Sequence, residues 1–222
     1  MVKIRQLKQS ELLKIDPNLR NDHPKSLLAE IFKIEFKKLF YGTGFQKERD
    51  LFIGCLFAFY CRKLQNREWF IQRISDPPDF ELTAPTNRKI KEKPFDHAQV
   101  EIVQITERVK SLSEAIEIIK TRKIERPYDL GRDVILLIFL NNPNGPNWSY
   151  GLADFFQQVN DKYSEIFAIY FLKGDTEDQF IYEVKSIRPQ GSKETLNLRE
   201  ELSKKPIPHP LIDRFAAKIN EE

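Results

Sequence analysis

The chain has 222 residues, 41% of them apolar or aromatic, and 17 are Phe. That length supplies one well-buried core and is short for two ordinary domains. Lys and Arg number 36 against 33 Asp and Glu, for a formal net charge of +3. This balance argues against an acidic disordered chain and does not by itself indicate nucleic acid.

In chain order, Met1–Arg5 lacks the apolar core of a signal peptide. Asp22, Pro24 and Ser26 mark the start of a helix over about 26–41, and Gly42 and Gly44 mark its end. A second helix is predicted over 47–64. Its middle, from Leu51 to Tyr60, is apolar all round, which implies cover on more than one face. This run is too short to span a bilayer. Cys55 and Cys61 lie in it without CxxC spacing or a nearby His, and read as reduced core thiols. A cytoplasmic chain with no membrane partner is expected.

Strands are predicted over 69–74, 79–82 and 99–106, the last two joined by a polar, Pro-containing connection. Leu112, Ala115, Ile116 and Ile119 mark one face of a helix over 112–124. Val134 to Leu140 is a continuous apolar run, as in a strand buried on both faces. A helix over 150–163, strands over 166–172 and 180–187, and a Pro-containing tail with a short helix over 211–219 complete the order. An early meander followed by a strand-helix-strand crossover predicts an α/β fold, a single mixed β-sheet flanked by helices. The expected layout is one domain over 1–222, with N-terminal helices over 11–65, a core over 66–187 and a tail over 188–222.

Two short patterns carry the chemistry. Pro77-Pro78-Asp79-Phe80 opens one strand, and Val100-Glu101-Ile102-Val103-Gln104-Ile105 is the next. Acids on two neighbouring antiparallel strands are a recurrent way to place carboxylates around a hard divalent cation. Such cations prefer oxygen ligands and hydrolyse phosphodiesters by activating water. Advancing the first helix by about 100° per residue puts Leu28, Ile31, Phe32 and Leu39 on one stripe, with Glu35 near its centre. An acid there calls for an ion pair, a hydrogen bond or a metal. Glu81 shares a strand face with Asp79, and Asp76 suits the turn before Pro77. His97 lies in the same hairpin. The connecting loop carries Arg88, Lys89, Lys91 and Lys93, cations for a phosphate backbone or for plain solvent. No aromatic interleaves them, so base stacking is not expected there. Residues 141–148 read as a turn-rich loop exposing Trp148.

These motifs, in this order, resemble the PD-(D/E)XK nuclease superfamily of restriction-endonuclease-like fold. Pro78-Asp79 matches the first half of the motif and Glu101 its second acid. Val134 to Leu140 stands where the family has its next core strand, and the resemblance spans about 26–140. It implies hydrolysis of DNA phosphodiesters with Mg²⁺ or Mn²⁺, nucleic acid as partner, and a homodimer to cut both strands. Members often send a glutamate into the site from their first helix. The implied metal ligands are therefore Asp79, Glu101 and Glu35, with Gln104 or a displaced lysine assisting.

The family lysine, two residues past the acid, is Val103 here. Gln104 points to the opposite face by the two-residue period. Some members use Gln there, and others recruit a lysine from the next helix, where Lys110 and Lys120 stand. A second register would put Gln99 at the acid position and Glu101 at the lysine position. The missing lysine keeps an alternative open: a catalytically degenerate nuclease-fold protein that binds nucleic acid or a protein partner.

Overall fold

A computed structural model describes residues 5–7, 21–72, 78–86, 95–125, 134–159, 161–173 and 180–208. Asp76, Pro77, the loop cations Arg88, Lys89, Lys91 and Lys93, and the helix expected over 211–219 lie outside these residues. In order, the elements are β1 (Arg5–Leu7), β2 (Asn21–Asp22), α1 (Pro24–Ile31), α2 (Phe36–Tyr41), α3 (Gln46–Gln65) and β3 (Phe70–Gln72). Then come β4 (Phe80–Pro85), β5 (Phe95–Thr106), α4 (Leu112–Ile119), a π-helical turn (Lys120–Ile124), β6 (Val134–Asn141) and α5 (Gly145–Gln158). The series closes with β7 (Tyr163–Lys173), β8 (Ile181–Arg188), β9 (Lys193–Asn197) and α6 (Leu198–Ser203).

The fold is α/β, with one mixed sheet flanked by helices. Strands lie in the order β2-β3-β4-β5-β6-β7-β8-β9, and the short β1 also pairs with β5. The pairs β5–β6 and β6–β7 are parallel and the others antiparallel. Alternation along each strand sorts side chains to two cores. Val100, Ile102, Ile135, Leu137 and Phe139 pack with α1 and α3. Val103, Ile105, Leu136, Ile138 and Leu140 pack with α4 and α5. Among the described residues, no helix is long and apolar enough to cross a membrane. The run Phe52 to Cys61 of α3 is buried throughout, as its apolar circumference implies, and Cys55 and Cys61 lie inside it, neither in a disulfide.

Four expectations need correction. The helix expected over 26–41 is two helices, because the chain leaves helical geometry between Phe32 and Glu35. Phe32 is the C-cap of α1, and Glu35 has an extended ψ of 127° at the N-cap of α2. The segment 141–148 is not an exposed loop. Pro146 lies in the first turn of α5, where a missing N–H costs nothing, and Trp148 is buried. The tail from 188 holds part of the sheet: β9 pairs with β8, and Leu196 and Leu198 join the α3-side core. The connection 83–98 is largely strand, since β4 runs to Pro85 and β5 begins at Phe95.

Candidate functional site

The two motif acids meet where β4 begins. Pairing of β4 with β5 stops at Phe80 opposite Val100. Asp79, one residue earlier, lies beside the edge of β5, where its Oδ2 accepts the Ile102 N–H at 2.5 Å. A carboxylate thus occupies a position that a strand carbonyl would otherwise fill. Glu101 points to the α4 side and is fully buried. Lys123 closes the group. Its ammonium lies 3.1 Å from Asp79 Oδ2 and donates to Glu101 Oε2.

The route by which Lys123 arrives is local. Ser111 caps α4 by accepting the Glu114 N–H at 3.2 Å, the standard use of a serine at that position. Ala115 and Ile119 bury the inner face of α4. Lys123 follows Ile119 by four residues, the helical spacing of one face. The last turn widens to an i→i+5 bond, Glu125 N–H to the Lys120 carbonyl at 2.9 Å, and presents Lys123 from within that turn.

A third acid approaches from the opposite face. Asp50, in α3, accepts from Gln104 Nε2 at 2.9 Å, and from Gln46 Nε2 at 2.9 and 3.0 Å. Gly54 lies one turn beyond Asp50 on the same helix. A Cβ there would meet the Phe80 ring at 3.1 Å. The missing side chain lets the Phe80 ring lie against α3, and the Asp79 charge acts on Asp50.

The charges act on one another. Burial pushes the Asp50 carboxyl up to about 6, and the Asp79 charge adds to this, while bonds from Gln46 and Gln104 and the Lys123 charge oppose it. Burial also holds Glu101 above the usual carboxylate range. Lys123 works against that shift, Asp79 adds to it, and the more distant Lys162 charge lowers it. For Lys123, burial disfavours the ammonium, but Asp79 and Glu101 together outweigh burial and raise its pKa. One cation is shared by two acids, so the buried Glu101 retains a heightened affinity for a proton.

The structure brings together Asp79, Glu101 and, through Asp50, Gln104. It does not bring Glu35 to them. Glu35 is exposed and pairs with Lys38 at 3.1 Å, and the main charges acting on Asp50 and Glu101 do not include it. The stripe that centred Glu35 assumed an unbroken helix, and the break before it removes that geometry. Lys110 is exposed, with its ammonium on the Glu107 carbonyl, and Lys120 pairs with Glu117. The lysine that pairs with Asp79 and Glu101 is Lys123. Val103 is buried on the Glu101 face among apolar neighbours. Gln99 donates to Glu81 at 3.2 Å, and Glu81 also meets His97 at 3.1 Å. Glu101, not Gln99, is therefore the acid beside Asp79.

Sequence reasoning missed Asp50 and Lys123. Each had a signal: Asp50 is the acid at the entrance of the all-round apolar run, and Lys123 continues the stripe Ala115–Ile119.

Asp79 and Glu101 offer hard oxygen donors of the kind that Mg²⁺ or Mn²⁺ takes. Glu101 Oε1 is buried without a hydrogen-bond partner, an acceptor whose desolvation a cation or water would offset. The residues present thus fit such an ion in their chemistry. Among the described residues, no group of three or more His, Cys, Asp and Glu stands close enough together to hold a metal ion. Compared with protein-family models, curated proteins and solved structures, the chain matches none.

Proposed function

We propose that the chain is a metal-dependent nuclease of the PD-(D/E)XK type that hydrolyses DNA phosphodiester bonds, with its motif lysine supplied by Lys123. The observation that carries this reading is the convergence of Asp79, Glu101 and Lys123 at the start of β4, from three separate segments. The sheet supports a restriction-endonuclease-like order, an antiparallel β3-β4-β5 meander followed by a crossover through α4 to β6.

Asp79 and Glu101 would hold Mg²⁺ or Mn²⁺ with water completing its shell, and Asp50 would add negative charge from the other face. The bound ion would supply an activated water and charge stabilisation. Lys123 holds its ammonium against both acids, placed to orient a water and to balance charge developing on a phosphate. Gln104 keeps Asp50 turned toward the site. Exposed cations stand on elements that reach the site from both faces of the sheet. Lys37 and Lys38 lie on α2, whose Leu39 carbonyl binds Arg49 beside Asp50, and Arg122 lies in the turn that bears Lys123. Such cations suit a phosphate backbone.

A second reading, a nuclease-fold module that binds nucleic acid without cutting it, is favoured by one observation. The Lys123 ammonium already stands between the two acids, where a metal ion would bind.

The test is cleavage of plasmid DNA, single-stranded DNA and RNA with Mg²⁺ or Mn²⁺, by the natural chain and by Asp79→Asn, Glu101→Gln and Lys123→Met. Metal-dependent cleavage lost in all three variants supports the nuclease. Cleavage that survives in all three places the chemistry elsewhere. Binding without cleavage under every condition supports the second reading.

A further inference from the structure

Lys123 reaches the acids from near the end of a short, non-standard turn. The turn stops at Ile124, so the Lys123 carbonyl is among those that a helix end leaves without an intrahelical donor. Tyr163 meets it: the phenolic O–H donates to the Lys123 carbonyl at 3.1 Å, in a buried bond. Tyr163 is itself rigidly mounted. It opens β7 opposite Val134, its N–H is taken by Asp161 Oδ1 at 2.8 Å, and its carbonyl accepts from Arg188. Arg188 in turn pairs with Asp161. The Tyr163 ring lies in the α4-side core, 4% exposed.

We infer that Tyr163 is a positioning residue for the reaction: its hydroxyl ties the π-helical turn to the start of β7 and so sets where the Lys123 ammonium stands between Asp79 and Glu101. The inference rests on the proposed nuclease function for its catalytic consequence, and on geometry alone for its effect on Lys123. A plain α-helical end would have served for burial. A widened turn with its carbonyl tied by a side chain from another strand fits a demand for placement, and π-turns recur at functional sites for that reason. Placement matters because an error of about 1 Å in a reacting group costs on the order of a hundredfold in rate.

Tyr163→Phe keeps the ring in its core and removes only the hydroxyl. The full chain is labelled with ¹³Cε-lysine, and the Lys123 resonance is assigned by its loss in Lys123→Met. In Tyr163→Phe this resonance should move, because the ammonium has drawn away from the acids. Cleavage of plasmid DNA with Mg²⁺ should lose about ten- to a hundredfold in kcat with KM little changed, the mark of an interaction made in the transition state. Tyr170→Phe serves as control. It removes another buried phenolic donor, the one to Glu183, and should leave the Lys123 resonance where it was, which separates positioning from general loosening. An unmoved Lys123 resonance in Tyr163→Phe overturns the inference. So does a moved resonance with undiminished kcat, since the ammonium's position would then not matter to the reaction. A moved resonance in a protein whose natural form cuts no substrate leaves the positioning of Lys123 standing and removes the nuclease reading instead.

Discussion

Replacing Lys123 by Met tests whether the three-residue cluster is as tightly coupled as its geometry implies. Methionine keeps most of the side-chain length and removes the charge. Two acids then lose their cation, one of them, Glu101, fully buried. Removing one partner of a buried ion pair costs about 3–5 kcal/mol, because the other charge stays desolvated. Lys123 is 10% and Asp79 18% exposed at the side chain, and Asp79 keeps its bond from the Ile102 N–H, so the lower end, about 3 kcal/mol, is expected. In a domain of this size that lowers the thermal midpoint by about 6–12 °C.

The assay is urea and thermal unfolding of the natural chain, Lys123→Met, Glu101→Gln and the double variant at pH 7.5. The double variant should recover about 2 kcal/mol relative to the sum of the singles, as contacting charges couple. The pH dependence has a definite sign. The folded-state pKa of Glu101 is raised, so the folded chain binds its proton more tightly than the unfolded chain does. Stability from this group is lost as pH rises from the ordinary carboxylate range through the folded value, and is regained on acidification. Without Lys123 that shift grows, and the deficit of Lys123→Met should shrink between pH 7.5 and pH 5. A deficit under about 1 kcal/mol, or singles that simply add, would refute a buried, shared ammonium.

Three other outcomes follow from the same geometry. Asp50→Asn should stabilise the metal-free protein at pH 7.5, since a rise from 3.8 to about 6 corresponds to at most about 3 kcal/mol of penalty; the gain should vanish below about pH 4 in denaturant titrations. Val103→Lys should not improve cleavage. It places an ammonium in the cluster of Ile105, Leu136 and Ile138, while Lys123 already stands against both acids, and a stability loss of several kcal/mol is expected in urea. Lys37→Ala with Lys38→Ala should weaken nucleic-acid binding on all sequences alike. The logarithmic salt dependence should flatten by about 0.9 for each phosphate no longer neutralised, as read by fluorescence anisotropy.

The range of the interactions involved divides what was legible in this chain from what was not. Hydrophobic period and length are local properties. They placed the buried helix around Leu51 to Tyr60, the doubly buried strand Val134 to Leu140, and the strands that carry Asp79 and Glu101, and through these the mixed sheet. The faces of Gln104 and Val103 were also legible, because the two-residue period of a strand admits no drift. Helical period is less forgiving. A single break at Phe32–Glu35, unmarked by Gly or Pro, rotated Glu35 out to solvent.

What the tertiary structure alone decided is which other charges join Asp79 and Glu101. Asp50 and Lys123 are far from both in the chain, and nothing in the local patterns couples them to those two acids. They join because α3 and α4 pack on opposite faces of the sheet, and because β4 begins one residue after Asp79 and leaves an edge of β5 for its carboxylate. An ammonium on a long, flexible stem can reach a given point from a strand or from a helix. Electrostatic complementarity in the folded state specifies where that charge stands and leaves its position in the sequence free.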